Sequence, residues 1–241
     1  MSVISATDSS SGDTTTVIAV GVLAATLAAV CHETLGHGFG CIGGGGHITL
    51  LTSIWFRCSK WTVIADAGGP IGNLVAGSVA VVLLNHTGPR PTGRLFLFLF
   101  GALNLFWFTG QLTFESLTRT HDDWYWILSQ SVIWRPVGAL IGIGGYVLAI
   151  RCLSAVIRKL GGLQANAIRL AWAAAAGSAV IAGLMWHAEP LRSAFEGFLT
   201  LGIAPIGLSR LARRESQNVG HAVACESVTR SWVWISIGAM L

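Results

Sequence analysis

Apolar residues run almost without a break from Val17 to Val30, a pattern too uniform for a half-buried soluble helix. With the residues that follow to about Gly40, the run is long enough to cross a bilayer, and Thr14, Thr15 and Thr16 offer N-caps for it. The glycines Gly36, Gly38, Gly40 and Gly43 to Gly46 are expected to dissolve the helix. The stretch from His47 to Phe56 is rich in β-branched and aromatic residues and too short to cross. It predicts a strand or hairpin dipping toward the membrane, whose open edge must be covered by protein or lie in a wet cleft.

Further spans follow at about Ile64 to Leu84, with Pro70 in an opening turn, and at Leu95 to about Leu117. In the latter Phe96, Phe98, Phe100, Phe106, Trp107 and Phe108 are expected to meet lipid or the interface, and Asn104 to be buried as interhelical glue. A fourth span, roughly Trp124 to Ile150, is interrupted at Arg135-Pro136; a fifth covers Leu170 to Trp186, and Ala194 to Leu208, carrying Pro205, offers a sixth. The fold class expected is therefore an all-α polytopic membrane protein of about six transmembrane helices, with a short β-like membrane-associated insert after the first. It divides into a polar tail at 1–16, a transmembrane core at 17–150, additional helices at 151–209 and a polar or interfacial tail at 210–241.

Composition sharpens this picture. Of 241 residues 53% are hydrophobic and 11% charged, with mean hydropathy +0.65, against roughly 25% charged in soluble domains. The net charge of +4 carries no basic cluster interleaved with aromatics, so nucleic acid is not an expected partner. The run from Met1 to Thr16 lacks Lys and Arg and does not read as a cleavable signal peptide. Five cysteines show no CxxC pairing, and each reads as a small apolar residue.

The chemistry sits at the end of the first span. His32-Glu33-Thr34-Leu35-Gly36-His37 is read as His-Glu-x-x-His, two histidines on the four-residue spacing of one helix face, with Glu33 beside the first of them. Both imidazoles could then reach one metal, and Glu33 could take a proton from a water of lowered pKa. A third protein ligand is needed. Crossing parity brings the end of the first span, Asn73 at the start of the second and the pair Asp122 and Asp123 after the third to one membrane face. Ionisable groups there are expensive without a cation or a wet cavity. His47 and His121 are further candidates, read as loop or interface residues. Glu115 and Glu196 are read as snorkelling or capping at span ends.

At these residues the chain resembles the site-2 protease family of intramembrane zinc metalloproteases. The resemblance runs over roughly residues 17 to 150 and rests on the histidine string, on Gly69-Pro70-Ile71-Gly72-Asn73, and on Asp122-Asp123-Trp124 in place of the family's aspartate, often followed by glycine. It implies one zinc ion held by His32, His37 and Asp122, with Asp123 as the alternative ligand. It implies Glu33 as general base and proton donor, and Asn73 as hydrogen-bond partner of the substrate backbone or oxyanion. It further implies that the strand around Ile48 to Ile54 pairs with an unwound transmembrane substrate protein in the cell (inner) membrane. A regulatory membrane partner or a homo-oligomer is compatible with this reading. A di-iron hydroxylase would need several histidine boxes where the chain has one. The remaining alternative is a non-catalytic transporter, chaperone or pseudo-protease with a structural zinc, against which Glu33 argues.

Orientation is contested within the sequence. Arg90, Arg94, Arg151, Arg158, Lys159, Arg169, Arg210, Arg213, Arg214 and Arg230 gather on the face of the termini, whereas Arg57, Lys60, Arg119, Arg135 and Arg192 gather on the other. Positive-inside bias therefore puts the histidines toward the outside. The family resemblance implies a site nearer the cytoplasm.

Overall fold

The computed structural model describes residues 12–87, 90–118, 120, 122–218 and 227–240. Its framework is helical, and five helices are long and apolar enough to cross a membrane: 14–43, 63–86, 91–118, 134–159 and 165–184. The chain is an all-α polytopic membrane protein by this measure. Helix α1 (Thr14–Ala29) passes without interruption into a π-helical segment (Val30–Gly38) and then α2 (Phe39–Gly43). Asp13, not a threonine, caps α1, its carboxylate accepting from the backbone N–H of Thr16 at 2.9 Å.

A hairpin of β1 (Ile48–Leu51) and β2 (Phe56–Cys58) follows, antiparallel, with Leu51 opposite Phe56. Cys58 is disulfide-bonded to Cys41 of α2. The reading of these two cysteines as plain apolar residues is thus corrected: the turn at Gly43 to Gly46 folds β2 back onto α2, which the spacing of the cysteines did not reveal.

Helices α3 (Val63–Thr87), α4 (Pro91–Thr118), the short α5 (Tyr125–Ser129) and α6 (Trp134–Lys159) come next. Pro70 lies inside α3, not in an opening turn. Its missing N–H leaves the Asp66 carbonyl without an intrahelical donor. The break expected at Arg135-Pro136 falls earlier, between α5 and α6, so Pro136 occupies the first turn of α6, where its lost donor costs nothing.

Packing is by small residues, as expected where lipid removes the hydrophobic drive between helices. Ala167, Ala171, Ala175 and Ala179 stripe α7 (Ala165–Leu184), and a Cβ on Gly21 of α1 would strike the Ala171 carbonyl. Phe98 and Phe106, expected at the lipid or interface, are fully buried in the core, while Leu140 and Leu148 of α6 face outward.

The run expected to form a sixth span is broken into α8 (Pro190–Phe198), a π-helical turn (Leu199–Ile203), a 3-10 turn (Ala204–Ile206) and α9 (Gly207–Asn218). It lies antiparallel beside α7. Ala194 packs on Gly183 near one end of α7, and Glu215 accepts from the Leu163 N–H at 3.1 Å near the other. The break has a local remedy. Around Pro205, the Tyr146 hydroxyl donates to the Ala204 carbonyl at 2.7 Å and accepts from the Gly207 N–H at 2.8 Å. Backbone groups freed by the break are thereby satisfied away from water. A last helix, α10 (Trp232–Met240), packs on α1, with Gly238 against Ala19.

Candidate metal centre

His32 and His37 are five residues apart, one more than the His-Glu-x-x-His spacing. In an α-helix, at about 100° per residue, that separation would leave them about 140° apart around the axis. The π-helical segment removes the difficulty. Hydrogen bonding i→i+5 widens the turn beyond the α-helical 3.6 residues, so residues five apart come onto one face, much as residues four apart do in an α-helix. The two Nε2 atoms lie 3.2 Å apart. The four-residue reading of the string is corrected accordingly; the face it was meant to create is present by another route.

The third donor is Asp123. Its Oδ2 is 3.0 Å from His32 Nε2 and its Oδ1 3.2 Å from His37 Nε2. Among the described residues, His32, His37 and Asp123 form the group whose donor atoms converge closely enough for one ion. Asp122, the favoured ligand of the sequence reading, is outside that group. The turn at Asp122 to Trp124, closed by the Tyr125 N–H donating to the Asp122 carbonyl at 2.8 Å, aims the second carboxylate at the imidazoles. Both aspartates sit in the loop between α4 and α5. Asp122 opens into the cavity, ringed by protein, and this partial desolvation, then the charges of Asp123 and Glu196, raise its pKa to about 7. For Asp123, burial pushes the same way but is outweighed by His37 and His32, whose charges and hydrogen bonds hold it well below the carboxylate range.

The ring orientations fit a metal ligand role. His37 Nδ1–H donates to the Ala65 carbonyl at 2.6 Å, leaving the Nε2 lone pair aimed at the cluster. Phe56 stacks on His37 with centroids 5.3 Å apart, and Trp107, fully inside the protein rather than at an interface, stacks on His32 at 4.3 Å.

The Asn73 side-chain amide lies 3.0 Å from His32 Nδ1. Two arrangements satisfy that contact. If the amide donates, Nε2 carries the ring proton and cannot bind a metal. If the amide oxygen accepts from Nδ1–H, Nε2 is free, and Asn73 Oδ1, otherwise without a donor, gains one. Asn73 is fully buried behind His32 and meets its ring, whereas the sequence reading expected it on substrate backbone or oxyanion.

Bond lengths of about 2.0–2.1 Å at a tetrahedral angle require donor atoms about 3.3 Å apart; the two Nε2 atoms are 3.2 Å apart, each imidazole meets a different Asp123 oxygen at 3.0 or 3.2 Å, and with one donor atom per residue the three lie within 4.8 Å of one another. Gly69 completes the cradle: a Cβ there would lie 2.7 Å from His32 Nε2 and closer to His37 Nε2. The three side chains could hold one metal ion, and two imidazoles with a carboxylate are donors of the kind zinc takes.

No protein-family model, curated protein or solved structure matches this chain. The site therefore has to be read from its own chemistry.

A cavity of about 990 Å³ contains the cluster and Glu33, with walls from the hairpin (Trp55, Phe56), α4 (Trp107, Gln111) and α8 (Arg192, Glu196). Two α4 side chains hold the ligand loop, Gln111, which the sequence reading passed over, and Glu115, which it read as snorkelling or capping. Gln111 Nε2 donates to Asp123 Oδ2 at 2.8 Å, and Glu115, 1% exposed, accepts from the Trp124 N–H at 2.9 Å. Glu115 is thus not a snorkelling residue. The signal available was two polar residues four apart on an apolar helix. Asp66, also passed over, lines the cavity from α3 with both carboxylate oxygens buried and, among the described residues, without a donor. His47 bonds to Ser59, just past β2, through its backbone N–H and its ring Nδ1. His121 and Arg119 lie outside the described residues.

Proposed function

We propose that the chain is an intramembrane zinc metallopeptidase of the site-2 protease type, acting on a peptide bond in or beside a transmembrane segment of another protein in the cell (inner) membrane. The observation that carries this reading is the convergence of His32 and His37 of the first crossing with Asp123 of the loop after α4, in a cavity that also holds Glu33. A purely structural site would need no carboxylate beside its ligands. When bound, zinc supplies Lewis acidity and lowers the pKa of a water. Glu33 takes the proton of the attacking water as its oxygen bonds the peptide carbon. It returns that proton to the leaving nitrogen as the C–N bond breaks, giving a carboxylate and an amine. Asn73 and the Ala65 carbonyl keep the two imidazoles in the tautomer that binds metal. Residues 190–218 serve as a broken sixth crossing, and the hairpin is a membrane-associated insert. On the side away from β2, strand β1 has no strand partner among the described residues, and an unwound substrate segment can add there.

Purified wild type and Glu33→Gln, assayed for zinc and for cleavage of a reporter membrane protein, test the proposal. Equal zinc with cleavage reduced about 10²- to 10⁴-fold in the variant is expected. A metal-free wild type, or undiminished cleavage by the variant, overturns it.

A further inference from the structure

We infer that the metal cavity opens on the oxidising, non-cytoplasmic side of the membrane, so that substrate segments are met, and the freed fragment released, on that side. The inference rests on the reading above for its substrate, but its geometry is independent of any metal. Two unrelated properties of the chain agree on it.

The first is redox. The Cys41–Cys58 bond ties α2 to β2 on the hairpin that walls the cavity. Disulfides persist in oxidising compartments and are kept reduced in the cytosol. Both cysteines are buried in the protein, and Gly46 packs against their sulfurs, so the bond belongs to the fold of that end of the molecule. Cys31, beside His32, and Cys152, in the opposite half of α6, are free, so the disulfide itself and not the distribution of thiols carries the redox argument.

The second is charge. The far end is where α3 and α6 finish and α4 and α7 begin. Contacts hold it together: Lys159 Nζ donates to Asn85 Oδ1 at 2.8 Å, Arg94 to the Leu160 carbonyl at 3.3 Å, and Arg214 to Ser154 at 3.2 Å. These residues belong to the ten basic side chains counted on that face, against Arg57, Lys60, Arg135 and Arg192 among the described residues of the cavity face. Positive-inside bias reads the far end as cytoplasmic. The structure makes this count meaningful, because α8 to α9 returns antiparallel to α7 and brings Arg210, Arg213 and Arg214 to the same end as Arg158.

Depth agrees as well. His32 lies about 27 Å along the helix from Thr14 but only about 16 Å from Gly43, at 1.5 Å per residue. The cluster is therefore in the half of the bundle nearer the disulfide. The cytoplasmic placement implied by the family resemblance is the opposite arrangement.

Full-length protein in intact cells tests this, with Ser131→Cys as a reporter on the cavity face and Arg158→Cys on the far face. Wild type serves as the blank for native thiols. A membrane-impermeant maleimide is expected to label Ser131→Cys on intact cells and Arg158→Cys only after the membrane is opened. In acid-quenched wild-type cells Cys41 and Cys58 should take maleimide only after reduction. Labelling of Arg158→Cys on intact cells, labelling of both reporters, or free Cys41 and Cys58 before reduction would each overturn the inference. Zinc measured on the same preparations reports separately on the metallopeptidase reading.

Discussion

Replacing Gly69 by alanine puts the metal geometry to its most direct test. The methyl carbon would stand 2.7 Å from His32 Nε2 and nearer to His37 Nε2, whereas unbonded heavy atoms settle at about 3.5 Å or more. The His32 ring would have to withdraw by about 0.8 Å and the His37 ring by more. Neither has room, because Trp107 and Phe56 stack on the rings and Asn73 and Ala65 hold the Nδ1 atoms. An ion held about 2.0–2.1 Å from both nitrogens would compete with the methyl for one position. Zinc affinity should fall by at least about 100-fold, which is about 2.8 kcal/mol at 1.4 kcal/mol per tenfold. The preference for alanine over glycine in a helix interior, roughly 0.5–1 kcal/mol, offsets only part of an overpacking cost of about 1–3 kcal/mol, so the unfolding midpoint of the metal-free variant is measured alongside to separate lost folding from lost metal. Chelator competition on purified protein measures the affinity, and the absorption of the cobalt-loaded protein reports the ligand geometry. Gly177→Ala, whose Cβ would meet nothing within 4 Å, is the control. A folded Gly69→Ala protein binding zinc as tightly as wild type would refute the convergence of the two imidazoles on that point.

Deleting Leu35, an exposed residue of the π-helical segment, should restore α-helical winding with four-residue histidine spacing and keep zinc affinity within about tenfold of wild type; loss of the metal from a folded deletion variant would show that the wider turn is itself required. Gln111→Leu removes the donor on Asp123 Oδ2 and should weaken zinc binding about 10- to 100-fold, with Gln111→His able to restore part of it; an unchanged chelator titration would remove Gln111 from the site. Asp66→Leu replaces a buried carboxylate that has no hydrogen-bond donor, and should raise metal-free stability in detergent by about 1–3 kcal/mol; a lower unfolding midpoint would mean that the carboxylate has a partner.

The large features of the chain were legible because lipid makes them so. A bilayer demands complete crossings with satisfied backbones, so apolar length gave the major helices, and parity sent the histidines, Asn73 and the aspartates to one face. Registers within a turn were not legible in the same way. One extra residue between His32 and His37 rotates an α-helical side chain away from its partner, and nothing in the composition of Thr34-Leu35-Gly36 announces that the helix will widen to absorb it. The choice between Asp122 and Asp123 depended on a loop turn and on Gln111 and Glu115 behind it. Those contacts are set by how the loop folds back on α4, and apolar patterning does not encode them.

The same distinction explains why the cavity could be foreseen while its walls could not. Three polar clusters at one membrane face require a wet or cationic centre on grounds of cost alone, since each ionisable group left in hydrocarbon costs several kcal/mol. The walls come from pairings remote in sequence. Trp55 of the hairpin donates to Ser193 of α8 at 2.6 Å while Arg192 stacks over its ring, closing the cavity between segments about 140 residues apart. Those two contacts hold the hairpin against α8. The Cys41–Cys58 bond anchors its base to α2, so the link that the cysteine spacing concealed also carries the wall facing Glu33.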